Sequence, residues 1–213
     1  MSDTTYTGVT NSKVTIEGGG GGGKYSLFDR VRYDNGSEIG TVGTFFTDAN
    51  GVEYAVVVLD KNNRSRAQWS TTSEVVTDLP ELKTSAEFLS NRDTATYNTQ
   101  KILDWCNANG YTSEACNYCR NKRFKIDGTI YHGQLPNIFE LFNILTNYLV
   151  IDAADTHSGS NTLASMLVDS FWSSSQNGSS RAWIISNFSL LNNSGIKTIT
   201  KIWTVPVLEI PNR

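Results

Sequence analysis

The chain has no excess of charge and no long apolar run. Its 213 residues carry a formal net charge of −3 with a sequence pI near 5.4, so no basic field favours nucleic acid or an anionic membrane as a partner. No stretch approaches the roughly 20 apolar residues that a membrane span needs, so we expect no membrane insertion. Residues 1–7 lack the charged start and apolar core of a signal peptide. We therefore expect the chain to be made in a cytoplasm and kept there until assembly or lysis releases it.

Cysteine is scarce and poorly placed for disulfides. The three cysteines, Cys106, Cys116 and Cys119, are an odd number clustered in one segment, whereas a disulfide framework uses pairs spread over a fold. Cys116 and Cys119 have the C-x-x-C spacing of zinc and redox sites, but Cys106 and His132 do not form the second paired knuckle that zinc would need. We expect reduced thiols at helix packing positions and no cofactor.

Signals for catalysis are also missing. The chain has two histidines, His132 and His157, and no Gly-x-Ser-x-Gly turn to hold a serine nucleophile. Asp152 and Asp155 lack the alternating acidic pattern of an EF-hand calcium loop. The run Gly18–Gly23 lacks the Lys-Ser/Thr of a phosphate-binding loop. The sequence therefore predicts a protein that is not an enzyme.

Residues 1–24 have the composition of an arm. Ser, Thr and Asn dominate its start, and the short β-capable stretch Val14-Thr15-Ile16-Glu17 is followed by six consecutive glycines. A glycine run has too much backbone entropy to hold regular structure by itself, which predicts a flexible tether. A strand-forming peptide ahead of a swivel also suits an anchor, in which Val14, Thr15 and Ile16 add as a strand to another protein. Both interpretations stay open.

Residues 25–80 have the periodicity of short strands. Turn sequences at 34–36 and 48–51, both ending in Asn-Gly, separate β-branched runs and are strong hairpin signals. The opening of this segment resembles that of SH3-like barrels, which implies a small β module that acts as a spacer or docking unit. A plain β-meander packed on its neighbour is the alternative. Strands are expected at 28–33, 39–46, 53–60 and 66–70.

The next part of the chain has helical periodicity. Ile102 and Cys106 share one helix face, and Gly110 is placed as the C-cap of that helix. Cys116 and Cys119 share a face of the following helix, a spacing that makes them core residues more readily than metal ligands. Helices are expected at 86–89, 98–106, 112–120 and 138–149.

Two tryptophans, Trp172 and Trp183, bracket a polar run of Ser, Gln, Asn and Gly. A tryptophan buries a large area, so the pair is typical of two paired strands that hold a loop in place. Small amide and hydroxyl side chains make the loop itself adaptable. Residues 196–208 are expected to return as the last strand, with Pro206 at an edge or a bulge.

Three sequence motifs follow one another over roughly the last 120 residues. They are Leu135-Pro136 with Glu140-Leu141, then Phe171-Trp172-Ser173-Ser174-Ser175 with Ala182-Trp183, then Val205-Pro206-Val207. Together they resemble the C-type-lectin-like domain of bacteriophage virion proteins and bacterial surface proteins. The sugar-chelating calcium motifs of that fold, Glu-Pro-Asn, Gln-Pro-Asp and Trp-Asn-Asp, do not occur here.

The resemblance implies a binding fold of the α+β class. We expect an arm at 1–24, the small SH3-like β module at 25–80 and a C-type-lectin-like domain at 81–213, with two helices packed on a twisted antiparallel sheet and long loops at one end.

The resemblance also implies a virion surface protein of the head-fibre, capsid-decoration or tail-fibre kind. Its arm is expected to dock on capsid or tail proteins, and its lectin-like domain is expected to bind a bacterial surface glycan or protein, with avidity from many copies on one particle. We expect a homo-oligomer, a dimer or a trimer. The candidate binding residues, of which the tryptophans are scaffold, are Trp172, Ser174, Gln176, Asn177, Arg181, Trp183, Asn187, Ser189 and Asn192.

Two other functions stay open. Enzymes of the formylglycine-generating type share a related lectin-like fold, but they need a reactive cysteine pair and a calcium or copper site, whereas the cysteines here lie in the helical segment. A purely structural capsid decoration protein would have no receptor at all. Binding to cells distinguishes that function from host attachment.

Overall fold

The computed structural model describes residues 23–147, 169–186, 194–198 and 201–213. Strands and helices both occur in this part of the chain, which confirms the α+β class. The strands are β1 (Arg30–Arg32), β2 (Glu38–Thr47), β3 (Glu53–Leu59), β4 (Ser65–Ala67), β5 (Arg123–Ile126), β6 (Thr129–His132), β7 (Ser170–Gln176), β8 (Arg181–Ser186), β9 (Ser194–Ile196), β10 (Ile202–Thr204) and β11 (Val207–Pro211). The helices are α1 (Ser85–Ser90), α2 (Ala95–Ala108), α3 (Glu114–Arg120) and α4 (Ile138–Asn147).

The strands form two main sheets and one hairpin. The first sheet has the order β1-β2-β3-β11 and is antiparallel throughout. The second sheet has the order β4-β10-β7-β8-β9 and contains one parallel pair, β10 with β7, so the expectation of a purely antiparallel sheet is wrong at that pair. Strands β5 and β6 form a separate hairpin that packs Phe124 and Ile126 against the first sheet.

Helix α4 joins the two sheets into one core. Its residues Leu141 and Ile144 lie in the same apolar cluster as Val56 of β3 and Phe171 of β7. Helices α2 and α3 pack in a second cluster with Trp172, the neighbour of Phe171 in the chain. Because alternate residues of a strand point to opposite faces, β7 is covered by α4 on one face and by α2 and α3 on the other.

The end of the chain crosses from one sheet to the other. Strand β10 pairs with β4 and β7 in the second sheet, and β11 pairs with β3 in the first over five residue pairs. Pro206 lies between the two strands, where its lack of an N–H interrupts no ladder. The single strand expected at 196–208 is therefore wrong.

The expected division at residue 80 is also wrong. The first sheet takes β11 from the end of the chain, and β4 belongs to the second sheet. Strands β1, β2 and β3 thus form the alternative that the sequence left open, a meander packed on its neighbour, rather than a closed barrel. Residues 25–80 share sheets and core with the described residues that follow them, because long-range strand pairing connects the two parts.

The helix ends follow from local sequence. The hydroxyl of Thr94 accepts a hydrogen bond from the backbone N–H of Tyr97 and caps the start of α2. Gly110 has φ +72° directly after α2, and the N–H of Tyr111 donates to the carbonyl of Cys106 at 2.8 Å. This is the Schellman type of helix end, and it confirms Gly110 at the helix C-terminus.

The hairpin β5–β6 escaped the sequence analysis although its signal is local. Asp127 and Gly128 form its two-residue turn with φ of 50° and 76°, the positive values that a type I′ turn requires. Phe124 and Ile126 alternate with charged residues before the turn. An Asp-Gly pair flanked by alternating apolar residues was sufficient to predict the hairpin.

Gly195 is needed where β9 passes the ring of Trp172. A Cβ at residue 195 would lie 2.4 Å from Cη2 of Trp172, and the ring is buried on all sides. We expect Gly195→Ala to lower the free energy of unfolding by about 2 kcal/mol, since a fixed aromatic ring cannot move out of the way. Urea unfolding followed by tryptophan fluorescence measures this. Ser194→Ala, one residue earlier in β9, is the control, and equal midpoints for the two variants would contradict the packing described.

Candidate functional site

Trp172 and Trp183 form the buried base of the β7–β8 hairpin. The indole N–H of Trp172 donates to the Ala67 carbonyl at 2.9 Å, and that of Trp183 donates to the Leu82 carbonyl. The two rings lie in different apolar clusters, so the hairpin is fixed on both faces. Both tryptophans are therefore buried parts of the hairpin and not of its exposed surface.

The turn between the two strands is the exposed part of this hairpin. The backbone N–H of Asn177 donates to the Arg181 carbonyl at 2.9 Å, and Gly178 has φ +78°, which closes the turn. Ser179, Ser180 and Arg181 are exposed, and Asn177 and Gly178 are half-buried. One guanidinium nitrogen of Arg181 donates to the Ser194 carbonyl at 3.0 Å, which ties the turn to β9. We call residues 177–181 the turn face.

Ser174 and Gln176 are not on the turn face, and their expected exposure is wrong. Both side chains are fully buried, because β7 continues to residue 176 and is covered on both sides. The N–H of Ser174 donates to the Pro136 carbonyl at 2.7 Å on one side, and Leu82 donates to the Gln176 carbonyl at 3.0 Å on the other. A bulge between Trp172 and Gln176 gives β7 extra residues opposite β8 and turns the serine run inward.

Gln176 organises the loop at 70–84. Its side-chain amide donates to the carbonyls of Val76 at 2.9 Å and Leu79 at 2.8 Å, and its oxygen accepts from the Val76 N–H at 3.1 Å. All of these groups are buried. The loop has little regular structure of its own, so one side chain from β7 supplies the partners that its backbone needs.

Lys197 completes this polar cluster. Its ammonium donates to the Gln176 side-chain oxygen and to the Glu74 carbonyl, each at 3.2 Å, and lies 4.6 Å from the centre of the Trp69 ring. Burial lowers the pKa of Lys197 to about 8. Because the side chain is fully enclosed, we assign it to the support of the loop rather than to contact with a ligand. The sequence analysis missed Lys197, since a single lysine in a turn carries no signal of burial.

Several candidate residues lie outside the described part of the chain. They are the loop residues Asn187, Ser189 and Asn192 and the anchoring residues Val14, Thr15 and Ile16. The structure thus brings Asn177 and Arg181 together at one surface and places Trp172, Ser174, Gln176 and Trp183 beneath it.

The three cysteines lie in the core, as their helix-face spacing predicted. Cys106, Cys116 and Cys119 are buried in the cluster between α2, α3 and the second sheet and form no disulfides. Burial raises the pKa of all three thiols, that of Cys116 to about 12. Protonated, enclosed thiols do not fit the reactive pair of a formylglycine-generating type of enzyme.

Glu140 is a buried acid in the Leu135-to-Leu141 motif. One of its carboxyl oxygens accepts from the Asn137 N–H at 2.9 Å, and the side chain faces Glu209 of β11. Glu209 in turn accepts from the N–H groups of Ala95 and Thr96, each at 2.8 Å, at the start of α2. Burial, and then the Glu209 carboxylate, raise the pKa of Glu140 well above its usual range. This motif joins α2, α4 and β11, which gives it a structural role.

An open groove of about 530 Å³ lies between β1 and the tip of the hairpin β5–β6. Its charged side chains are already paired within the described residues: Lys24 with Asp127, Arg30 with Asp60, Arg32 with Glu38 and Lys125 with Asp34. Charges satisfied within the protein do not mark a site for a charged ligand. The charges that line the groove therefore do not indicate a ligand.

Across 23–147, 169–186, 194–198 and 201–213, no three or more His, Cys, Asp or Glu side chains come together as metal ligands. Nor does any helix in these ranges have the length and apolarity to cross a membrane. Comparison with protein-family models, curated proteins and solved structures gave no match.

Proposed function

We propose that the chain is a non-enzymatic bacteriophage virion surface protein of the head-fibre, capsid-decoration or tail-fibre kind. Its turn face contacts the bacterial surface, and residues 1–24 attach it to the particle. The observation that carries the proposal is a polar, exposed turn on a buried base, in which the side chains of Trp172 and Gln176 are hydrogen-bonded to the fold. A rigid base with an adaptable tip is an arrangement that binding loops use.

The similarity of the sequence motifs to C-type-lectin-like domains supports the same proposal. Trp172 and Trp183, which carry the second motif, lie under the turn face. Glu140 of the first motif faces Glu209 of β11, which bonds the start of α2. The motifs thus fall on residues that hold the turn face in place. Attachment then works by avidity, because weak contacts from one turn become tight when many copies sit on one particle.

Replacing the turn side chains is expected to weaken attachment to cells. We expect the double variant Asn177→Ala with Arg181→Ala to bind host cells at least about tenfold less tightly when displayed in many copies, since each lost contact is multiplied by avidity. Flow cytometry of cells with fluorescent beads that carry the purified chain measures this. The thermal midpoint is expected to change little, because neither side chain is fully buried and the bond that Arg181 makes to the Ser194 carbonyl is exposed.

Arg123→Ala is the matched control for this experiment. It removes an exposed arginine from the hairpin β5–β6, which packs on the first sheet and not on the second. Unchanged binding by this control and lost binding by the double variant support the turn face. Equal binding by all three proteins contradicts it, and no binding by any of them favours a purely structural decoration protein.

Attachment to the particle is tested by electron cryo-microscopy of virions with the full chain or with residues 1–24 removed. The proposal predicts decoration by the full chain alone. Absence of both forms from the particle would contradict the virion location and would leave a soluble bacterial binding protein.

A further inference from the structure

The chain contains four Asn-Gly pairs, at 35–36, 50–51, 109–110 and 177–178. In such a pair the backbone nitrogen of the glycine attacks the side-chain amide of the asparagine, because a glycine carries no Cβ that would obstruct the approach. The attack requires a glycine N–H that is not already hydrogen-bonded and an asparagine side chain that is free to turn toward it. The fold therefore decides which of the four pairs reacts.

Three of the pairs are restrained by hydrogen bonds. In each of them the glycine N–H donates to a backbone carbonyl: Gly36 to Tyr33 at 2.9 Å, Gly51 to Asp48 at 3.1 Å and Gly110 to Asn107 at 3.4 Å. The pair with the longest of these bonds is held a second time, since the side-chain amide of Asn109 donates to the Trp105 carbonyl at 2.8 Å. These bonds oppose the attack at all three pairs.

The pair Asn177-Gly178, in the turn face, has neither restraint. The Gly178 N–H and the Asn177 side chain make no hydrogen bond with any residue that the structure describes. The backbone N–H of Asn177 donates to the Arg181 carbonyl, but that bond engages neither the side-chain amide nor the attacking nitrogen. Ser179 and Ser180, beside the pair, are exposed, so water and hydroxide reach it.

We propose that Asn177 is a site of spontaneous deamidation and that this modification ends host attachment through the turn face. The nitrogen of Gly178 gives its proton to hydroxide and attacks Cγ of Asn177. The new N–Cγ bond closes an imide ring, the Cγ–Nδ2 bond breaks, and Nδ2 takes up a proton and leaves as ammonia. Water then opens the ring at either carbonyl, which gives an aspartyl or an isoaspartyl residue at position 177. Water is the only co-reactant, and the steps involve no oxidation or reduction.

The product changes both the charge and the shape of the turn face. Arg181 is the only charged residue within 177–181, so a carboxylate at position 177 cancels the positive charge of this surface. An isoaspartyl residue also adds a backbone atom between positions 177 and 178, inside the turn that the bond from Asn177 to Arg181 closes. This part of the inference rests on the proposed function, because it requires the turn face to carry attachment.

The chemistry is tested by incubating the full chain at mildly alkaline pH, below its thermal midpoint, and following each Asn-Gly pair by peptide mass spectrometry. We expect Asn177 to convert at least about fivefold faster than the asparagine of any other pair, the factor in rate that corresponds to one net hydrogen bond. The three restrained pairs are internal controls, because they meet the same solvent in the same sample. Conversion of Asn177 at the same rate as theirs, or more slowly, would overturn the inference.

The urea-unfolded chain is a second control. Unfolding removes the hydrogen bonds of the three restrained pairs, so their conversion is expected to approach that of Asn177 in rate. If Asn177 kept its full lead in urea, the flanking sequence rather than the fold would set the rate, and the structural basis of the inference would be wrong.

The loss of attachment is tested with Asn177→Gln. Its longer side chain moves the amide carbon away by a methylene group, which disfavours the same ring closure, so this variant keeps its amide while the wild type loses it. Cell binding by beads that carry the wild-type chain is expected to fall in step with conversion during storage, whereas binding by Asn177→Gln stays at its own starting level. An unchanged wild-type signal after conversion, or an equal decline in both proteins, would overturn the loss of attachment.

The outcomes separate this inference from the proposed function. If Asn177 converts ahead of the other pairs and neither fresh nor aged protein binds cells, the modification site stands and host attachment fails. If fresh protein binds cells and Asn177 does not convert ahead of the other pairs, the inference fails and the proposed function stands.

Discussion

Replacing Gln176 with alanine is expected to lower the free energy of unfolding by on the order of 4 kcal/mol, since several buried groups lose their partners at about 1–3 kcal/mol each. The N–H and carbonyl of Val76, the carbonyl of Leu79 and the ammonium of Lys197 all bond to this side chain. Alanine leaves the Val76 N–H and the Leu79 carbonyl without this partner, removes one bond each from the Val76 carbonyl and the Lys197 ammonium, and leaves a cavity. Urea unfolding at fixed pH measures the change.

The loop at 70–84 is expected to loosen in the same variant. Its backbone amides should exchange hydrogen faster than those of α2, because the loop depends on Gln176 for its hydrogen bonds whereas α2 has its own. Asn107→Ala, at an exposed position of α2, is the control and is expected to change stability by less than about 1 kcal/mol. A Gln176→Ala protein as stable as that control would show that the loop is held by other contacts.

The buried acid Glu140 is expected to make stability fall as pH rises. Burial and the neighbouring Glu209 raise its pKa in the folded state, so the folded protein holds a proton that the unfolded chain releases. The stabilisation is complete below the unfolded pKa of about 4.3 and is lost as pH rises toward the folded pKa. The loss is at most about 1.4 kcal/mol per pH unit for this one group.

Glu140→Gln isolates the effect. The amide keeps the shape of the protonated acid, can still accept from the Asn137 N–H and can donate to Glu209, but it does not ionise. We expect the difference in unfolding free energy between the variant and the wild type to grow in favour of the variant from about pH 5 to pH 7. This range lies below the pKa of Lys197, which is lowered to about 8.

The control for the pH series is Glu74→Gln, whose side chain is exposed. Its pH dependence is expected to follow that of the wild type. A wild-type protein whose stability runs parallel to that of Glu140→Gln over the whole range would mean that Glu140 does not hold a proton in the fold.

The secondary structure was largely predictable because its signals are local. Asn-Gly turns placed β2 and β3, and Gly110 ended α2. The Asp127-Gly128 turn of the hairpin β5–β6 is an equally local signal. The pairing of β11 with β3 depends on residues about 150 positions apart, and no period in the sequence carries that information.

In the candidate site, only the buried tryptophans and the exposed turn residues could be predicted from the sequence. The tryptophans were expected inside, and Asn177 and Arg181 were expected at the surface. Ser174 and Gln176 have the composition of a loop, and their burial depends on Pro136 and Leu82, which come from distant parts of the chain. Polar residues become interior when the fold supplies partners, and a sequence read alone does not show those partners.

We propose that the turn face attaches the particle to its host, and competition for adsorption tests this proposal most directly. Host cells are incubated with an excess of the purified chain before the virions are added, and the fraction of virions that adsorb is counted. The proposal predicts that the wild-type chain blocks adsorption and that the variant with Asn177→Ala and Arg181→Ala does not. Equal blocking by both proteins, or by neither, would contradict it.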